Sequence, residues 1–162
     1  MSDFNTAIGL GSTNNQNLDN WQARAVANLS TGAGSVSLGS MRGREVTYLN
    51  AGQFVSGSNT YNGFARSYQT SFGSLSWNQN LFGAQIERIW TRYVDGVLTS
   101  TQILVSGTLA QSYWNNVWIN GVVRNSTTDC SSFNSGSGGY TWWTLTAVDI
   151  ANATGYQIVF TP

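Results

Sequence analysis

The sequence predicts an all-β protein, an antiparallel β-sandwich of the jelly-roll or immunoglobulin-like kind, preceded by a short N-terminal arm that contains one helix. From residue 45 onward, short runs of aromatic and β-branched residues follow one another. Two-residue turn signals, Asp95-Gly96 and Asn120-Gly121, separate some of these runs and are typical of tight β-hairpins. Hydrophobic residues make up 41% of the 162 residues, which is enough for a core. The predicted domains are an attachment arm, residues 1–44, and a sandwich, residues 45–162.

The individual strands are predicted where β-forming residues lie between turn signals. They are expected at residues 46–49, 64–72, 74–77, 84–94, 97–105, 108–114, 117–119, 122–124, 140–148 and 156–161. Two stretches rich in Gly, Ser and Asn, residues 50–63 and 125–139, are expected to be loops. Short strands joined by hairpins at this spacing favour an antiparallel arrangement.

The arm contains the predicted helix, residues 17–29, in which apolar residues recur at roughly helical spacing. A Gly- and Ser-rich run ends this helix and leads to a short turn that contains Leu38 and Met41. Because these two apolar side chains are three residues apart, they can dock together on a neighbour. Arg42 and Arg44 are expected to reach carbonyls or acids there, so the four residues form the candidate attachment site. The alternative is an ordinary surface turn within one domain.

The charge composition narrows the possible partners. Charged residues make up only 9% of the chain, and seven basic residues balance seven acidic ones. Nucleic acid and anionic lipid surfaces both require clustered cations, so neither is an expected partner. A neutral surface is more typical of a subunit packed against other copies, which favours a homo-oligomer. No apolar run approaches the ~20 residues of a membrane span, and the N-terminus lacks signal-peptide features, so we expect synthesis in a cytoplasm without membrane insertion.

The residues needed for most catalytic chemistry are missing. The chain contains no His and a single Cys, which excludes Ser-His-Asp and Cys-His catalysis, zinc clusters and CxxC redox chemistry. We therefore expect no enzyme, no cofactor and no transition-metal site. Two alternatives stay open: a weak Ca²⁺ site in residues 125–139, and a paired-carboxylate glycosidase. The glycosidase would have to draw on Glu45, Glu87, Asp129 and Asp149.

The aromatic residues point to a contact surface. In the stretch YTWWTLT, strand alternation places Trp143 with Leu145 on one face and Trp142 with Tyr140 on the other. A sandwich of this size has one buried layer, so we assign Trp143 to the core. Tyr140 and Trp142 are then expected to meet a partner subunit or a glycan. Trp118, which alternates with two aliphatic neighbours, is assigned to the same role.

The same alternation divides the longest predicted strand, residues 84–94. One face would carry Ile86, Arg88, Trp90, Arg92 and Val94, and the other Gln85, Glu87, Ile89, Thr91 and Tyr93. Neither face is cleanly polar. Arg88 and Arg92 are expected to stack on Trp90, and Glu87 to pair with one of them across the sheet.

The arm also matches a recurring pattern. It contains Ala7-Ile8-Gly9, an Ala-rich segment at residues 21–29, small residues at 30–35, and the run Ser-Leu-Gly-Ser-Met-Arg-Gly at residues 37–43. This order resembles the N-terminal segment of structural proteins of tailed bacteriophages, in which an Arg-Gly knot precedes a β-rich domain. Those proteins more often have an acid before the aromatic position, where this chain has Ser40-Met41. The resemblance covers about the first 44 residues and implies a tail, fibre or decoration protein of a virion.

Together these features predict a virion structural protein, made in the host cytoplasm, that acts in assembly with other virion subunits. A host-surface glycan is a further expected partner, because exposed rings can stack on sugar faces while neighbouring amides bind hydroxyls. The alternative is a free carbohydrate-binding module or lectin.

Overall fold

The computed structural model describes residues 43–66, 71–119, 121–151 and 154–162. The predicted helix at residues 17–29 and the candidate attachment residues Leu38, Met41 and Arg42 lie outside these ranges. The described residues form two antiparallel sheets that pack against each other, so the predicted antiparallel β-sandwich is confirmed. The strands are β1 (Glu45–Asn50), β2 (Gly52–Ser56), β3 (Asn59–Ala65), β4 (Ser74–Trp77), β5 (Asn80–Leu81), β6 (Ala84–Val94), β7 (Val97–Ser106), β8 (Asn116–Ile119), β9 (Val122–Asn125), β10 (Cys130–Ser137), β11 (Tyr140–Leu145) and β12 (Tyr156–Phe160).

The strand order divides the chain into a smaller and a larger layer. The five-stranded sheet has the order β4-β1-β12-β8-β9. The seven-stranded sheet has the order β10-β11-β7-β6-β3-β2, with β5 paired to β6. The first and last strands, β1 and β12, are hydrogen-bonded neighbours in the middle of the five-stranded sheet. Within the described part of the chain there is no helix with the length and apolarity needed to cross a membrane.

Strands that bury one face in the core are those the pattern predicts best. The prediction for Ala84–Val94 is confirmed residue for residue, and its partner β7 extends the predicted strand by one residue. Asp95 and Gly96 turn the chain between them with φ angles of +49° and +78°, as a type I′ turn requires. The predictions for β1, β4, β8, β9, β11 and β12 are confirmed to within a few residues at their ends.

Three of the predicted connections and strands are wrong. Residues 50–63, expected to be a loop, contain the hairpin of β2 and β3, and residues 125–139 contain β10. Both β2 and β10 are edge strands of the seven-stranded sheet and bury few side chains, so they lack the apolar alternation by which strands are recognised. Residues 108–114, expected to be a strand, instead cross between the sheets and include the 3-10 turn Gln111–Tyr113.

The prediction of one strand over residues 64–72 is also wrong. Strand β3 ends at Ala65, and residues 67–70 lie outside the described ranges. The chain then returns to Ala65, since the backbone N–H of Phe72 donates to the Ala65 carbonyl at 3.1 Å and Ala65 donates back at 2.9 Å. This local return, rather than a continuous strand, brings the connection to β4 over the seven-stranded sheet.

Large aromatic side chains occupy the core between the sheets. Trp143 is 0% exposed, which confirms its predicted orientation toward the core. Its ring centroid lies 5.5 Å from that of Trp114, and Trp114 meets Phe160 from the opposite sheet at 5.8 Å. The indole N–H of Trp143 donates to the carbonyl of Gln111 at 2.9 Å. The crossing at residues 108–114 is therefore tied to the centre of the core.

A β-bulge changes the side-chain alternation of β6. Ile86 lies opposite Val105 and Arg88 lies opposite Leu104, so Glu87 is an extra residue between two successive pairs. Ile86 and Ile89 are consequently both buried in the core, which corrects the predicted placement of Ile86 on the face of Arg88 and Trp90. Glu87 does not pair with Arg88 or Arg92 as predicted; its carboxylate lies 3.8 Å from Nε of Arg66.

Candidate contact surfaces

The three aromatic residues predicted to bind a partner lie on two different surfaces. Tyr140 and Trp142 belong to β11 and face outward from the seven-stranded sheet. Trp118 belongs to β8 and faces outward from the five-stranded sheet. The structure therefore brings Tyr140 and Trp142 together and separates them from Trp118.

Part of the outer face of the seven-stranded sheet is covered by the chain itself. Phe54, Tyr61, Phe72 and Trp90 form a group of contacting rings, here called the ring cluster. Tyr61 and Trp90 have ring centroids 4.6 Å apart, and Phe72 stacks on Trp90 at 5.9 Å with an interplanar angle of 7°. Trp90 is only 4% exposed although it faces away from the core. The ring cluster thus covers the outward-facing Trp90 of β6 with residues of the same chain.

Three glycines allow this coverage. Gly52 and Gly63 lie opposite each other on β2 and β3, and Gly73 follows Phe72. A Cβ atom on Gly63 would overlap the carbonyl oxygen of Ile89, and one on Gly73 would overlap the carbonyl oxygen of Gly63. The backbone after Phe72 can approach the sheet this closely only because these positions lack side chains. Phe72 is held over Trp90 as a result.

The other half of this face remains partly open. Asn134, Trp142, Leu104 and Arg88 form one cross-strand row over β10, β11, β7 and β6. Trp142 and Leu104 are half-buried, whereas Tyr140, further along β11, is 38% exposed. We call the group formed by Tyr140, Trp142, Leu104 and Arg88, with their polar neighbours Gln102, Thr144 and Asn134, the Trp142 surface.

Polar contacts hold the centre of the Trp142 surface in place. The guanidinium carbon of Arg88 lies 3.9 Å from the ring centroid of Trp90, so the predicted stacking of Arg88 is confirmed. Arg88 also donates to the amide oxygen of Gln102 at 2.6 Å, and the Gln102 amide donates to the Thr144 hydroxyl at 3.4 Å. Arg92 binds Asn59 through two hydrogen bonds of 3.0 and 2.7 Å. The surface therefore presents a ring and an aliphatic side chain beside positioned amide and hydroxyl groups.

A second apolar row crosses the outer face of the five-stranded sheet. Val46, Val159, Trp118 and Val123 are successive cross-strand neighbours on β1, β12, β8 and β9, and we call this row the Trp118 stripe. The guanidinium carbon of Arg44 lies 5.6 Å from the Trp118 ring centroid, within the range of a cation–π contact. Burial lowers the pKa of Arg44. One predicted attachment residue and one predicted contact residue thus meet at this stripe.

The acids considered for a glycosidase each have a separate role in the fold. Glu45 accepts the backbone N–H of Phe82 at 2.6 Å, and Asp129 accepts that of Asn125 at 2.8 Å. Asp149 accepts the hydroxyl of Tyr93, while Glu87 faces Arg66. Burial is the main cause that raises the pKa of Glu45, and burial together with Asp149 raises the pKa of Tyr93 to about 12. The absence of catalysis stays a prediction.

The stretch considered for Ca²⁺ also uses its oxygens internally. The side-chain oxygen of Asn125 accepts the backbone N–H groups of Thr127 and Thr128 at 2.9 and 3.1 Å. Across the described ranges there is no cluster of three or more His, Cys, Asp or Glu residues that could hold a metal ion. The expectation of no transition-metal site remains a prediction, and the weak Ca²⁺ site stays an untested alternative.

The sequence analysis does not predict four members of the Trp142 surface: Leu104, Gln102, Thr144 and Asn134. The available signal was the alternation in β7, where Ile103 and Val105 are fully buried and Leu104 must therefore point outward. Leu104 lies directly opposite Trp142, on the partner strand of β11. No family model, curated protein or solved structure matches this chain.

Proposed function

We propose that the chain is a structural protein of a tailed-phage virion, a tail, fibre or decoration component that acts in assembly and contacts its partner through the Trp142 surface. The partner is another virion subunit, in a homo-oligomer, or a glycan on the host surface. The observation that carries the proposal is the partly open row of apolar and polar side chains around Trp142. It lies beside the ring cluster, whose rings already cover one another.

The chemistry of the Trp142 surface suits either partner. Trp and Tyr provide large, rigid contact area at little cost in side-chain entropy, and both carry a polar group for a hydrogen bond. Gln102, Thr144 and Asn134 add amide and hydroxyl groups beside Trp142. A protein partner would be bound mainly by the rings and Leu104, whereas a sugar would also engage the amides.

The N-terminal segment supports the virion part of the proposal. Its resemblance to phage structural proteins covers residues 1–44, and the proposed attachment residues are Leu38, Met41, Arg42 and Arg44. Zero net charge is consistent with a subunit that works inside a larger assembly. The alternative function, a free carbohydrate-binding module, is favoured by the amide and hydroxyl groups next to Trp142 and would require no oligomer.

Full-length Trp142→Ala and Tyr140→Ala variants test the proposal, with Val97→Ala as the control. Val97 is an exposed apolar residue at the β6–β7 hairpin, away from the Trp142 surface. Removing a central aromatic contact typically costs at least ~1–2 kcal/mol of binding, so we expect about tenfold weaker association for Trp142→Ala and no change for Val97→Ala. Association is measured by analytical ultracentrifugation, and glycan binding by titration with host-surface polysaccharide.

The two readouts separate the candidate functions. A self-associating protein whose assembly is weakened by Trp142→Ala fits the virion proposal, whereas a monomer that loses only polysaccharide binding fits the free module. Circular dichroism serves as the check that each variant is folded. If both Trp142→Ala and Tyr140→Ala associate and bind polysaccharide as the unmodified chain does, the Trp142 surface is not the contact surface.

A further inference from the structure

Two valines of the Trp118 stripe are buried although they lie on the outer face of their sheet. Val46 and Val159 point away from the core, on the outer face of the five-stranded sheet, yet they are 1% and 0% exposed. Residues on the neighbouring strands lie ~4.8 Å to either side of these valines. They cover the sides of the valine side chains but not the ends that point away from the sheet. In a two-layer sandwich this side ordinarily faces solvent unless a further segment covers it.

One described side chain, that of Arg44, extends over this part of the sheet. Arg44 reaches from the start of β1 across β12 to the ring of Trp118, which is half-buried. Val123, at the β9 end of the stripe, is 45% exposed. The stripe is therefore closed over β1 and β12 and opens toward β9, as expected if the covering segment enters from the β1 side.

A polar atom nearby also lacks its partner. Gln157 lies two residues before Val159 on the same face of β12, and its Nε2 atom is buried without a hydrogen bond. A buried donor left unsatisfied costs ~1–3 kcal/mol. Next to it, burial raises the pKa of Tyr48 on β1. An additional stretch of chain over this face would supply backbone carbonyls as acceptors for Gln157.

We propose that residues 1–42 of the same chain pack over the Trp118 stripe, with Leu38 and Met41 as the apolar contacts to Val46 and Val159. The two contact residues precede Val46 by only eight and five positions, so the linkage gives them a high local concentration at the stripe. Gly43, with φ of +73°, provides the reversal between them, in a conformation that few other residues adopt.

The dimensions agree with this occupant. The stripe crosses four neighbouring strands, a width of ~14 Å at ~4.8 Å between strands. About five extended residues, or about ten helical ones, span that distance. The 42 residues before Gly43 are ample. Gly43 itself lies against Pro162, where a Cβ atom would be 3.1 Å from the proline Cγ, so the residue that follows the segment lies at the end of β12 beside the stripe.

This inference does not depend on the proposed function, since it applies equally to a virion subunit and to a free module. It changes the target of Leu38 and Met41, which would bind within the chain. The remainder of residues 1–42 stays available for attachment to a neighbour.

Photo-crosslinking of the full-length chain tests the inference. Tyr48→p-benzoylphenylalanine places an aromatic crosslinker on the face in question, and Tyr140→p-benzoylphenylalanine is the matched control on the other sheet. After irradiation at low protein concentration, mass spectrometry is expected to find position 48 joined to residues within 1–42, in species of monomer mass. Position 140 is expected to give no such crosslinks. Adding Leu38→Asp and Met41→Asp should reduce the yield from position 48 about tenfold or more.

Three results would overturn the inference. The first is the absence of crosslinks from position 48 to residues 1–42. The second is crosslinks found only in species of dimer mass, which would make a second copy the occupant. The third is a crosslink yield that the Leu38→Asp and Met41→Asp changes leave unaffected. Because none of these readouts measures assembly or glycan binding, the proposed function can fail while this inference holds, and the reverse.

Discussion

The Trp143→Ala substitution removes the largest fully buried side chain of β11. Trp143 is 0% exposed, and its indole N–H donates one hydrogen bond to the carbonyl of Gln111. Its ring centroid lies 5.5 Å from that of Trp114 and 5.6 Å from that of Phe133. A Trp side chain buries ~200–250 Å², which at ~25 cal/mol per Å² corresponds to ~5–6 kcal/mol. Partial collapse of the cavity and a compact unfolded state reduce this value. We therefore expect a loss of ~4–5 kcal/mol in the free energy of unfolding.

The neighbouring residue provides a matched control. Trp142→Ala makes the same chemical change one position earlier in the same strand, but on the half-buried outer face. No closed cavity forms there, so we expect a loss of ~1–2 kcal/mol. Trp143→Phe keeps most of the ring volume and removes the hydrogen bond to Gln111, so its expected cost lies between the two.

Urea unfolding followed by circular dichroism measures all three variants, and the slope with urea shows whether the folded state stays compact. A loss of ~4–5 kcal/mol approaches the total stability of many domains, so Trp143→Ala should lower the melting temperature by more than ~10 °C. If Trp142→Ala costs as much as Trp143→Ala, the outer face of β11 is not a surface. The Trp142 surface would then lose its basis.

Two further predictions concern Glu45 and Gly63. Burial raises the pKa of Glu45 in the folded chain, so its favourable contribution is complete below the unfolded pKa of ~4.3 and is lost as pH rises through the folded value. Urea unfolding from pH 4 to 7 should show this decline in the unmodified chain and a smaller one in Glu45→Gln; an equal decline in both would contradict the assignment. Gly63→Ala should lower the free energy of unfolding by ~2–4 kcal/mol, because its Cβ would lie 2.7 Å from Cα of Trp90 and overlap the backbone of Ile89. Gly96→Ala, at φ +78° with no atom within 4 Å of its Cβ, should lower it by only ~1 kcal/mol. Equal costs in thermal melts would show that the close approach at Gly63 is unimportant.

The parts of the fold that the sequence predicts are those in which burial imposes a pattern. Strands β7 and β11 lie inside the seven-stranded sheet and bury alternate residues, so their positions are readable. Strand β6 is readable from its length and its β-branched and aromatic residues, although the bulge interrupts its alternation. Strands β2 and β10 are the two edges of the same sheet. Their Ser, Asn and Gly residues satisfy the backbone hydrogen bonds of one neighbour without contributing much to the core. Composition alone cannot distinguish such edges from loops.

The sequence predicts only part of the candidate surfaces, because alternation shows which face of its own strand a residue occupies and nothing more. Alternation correctly places Trp142 opposite Trp143, and Trp118 opposite the buried Val117 and Ile119. It cannot reveal that Phe72 covers Trp90, because that contact depends on the close approach of Gly63 and other glycines far apart in sequence. Coverage of an aromatic face by a distant segment is a tertiary property, and a single strand does not encode it.

The bulge at Glu87 explains why the outer face of β6 can take part in a contact surface at all. With strict alternation, a strand that buries Ile89 would turn Ile86 outward and Glu87 into the core. The extra residue lets both isoleucines reach the core, while Arg88 and Trp90 face outward. Arg88 then lies in register with Leu104 and Trp142 and stacks on Trp90. The Trp142 surface and the ring cluster therefore share one guanidinium group, and its position follows from one inserted residue in the longest strand of the sheet.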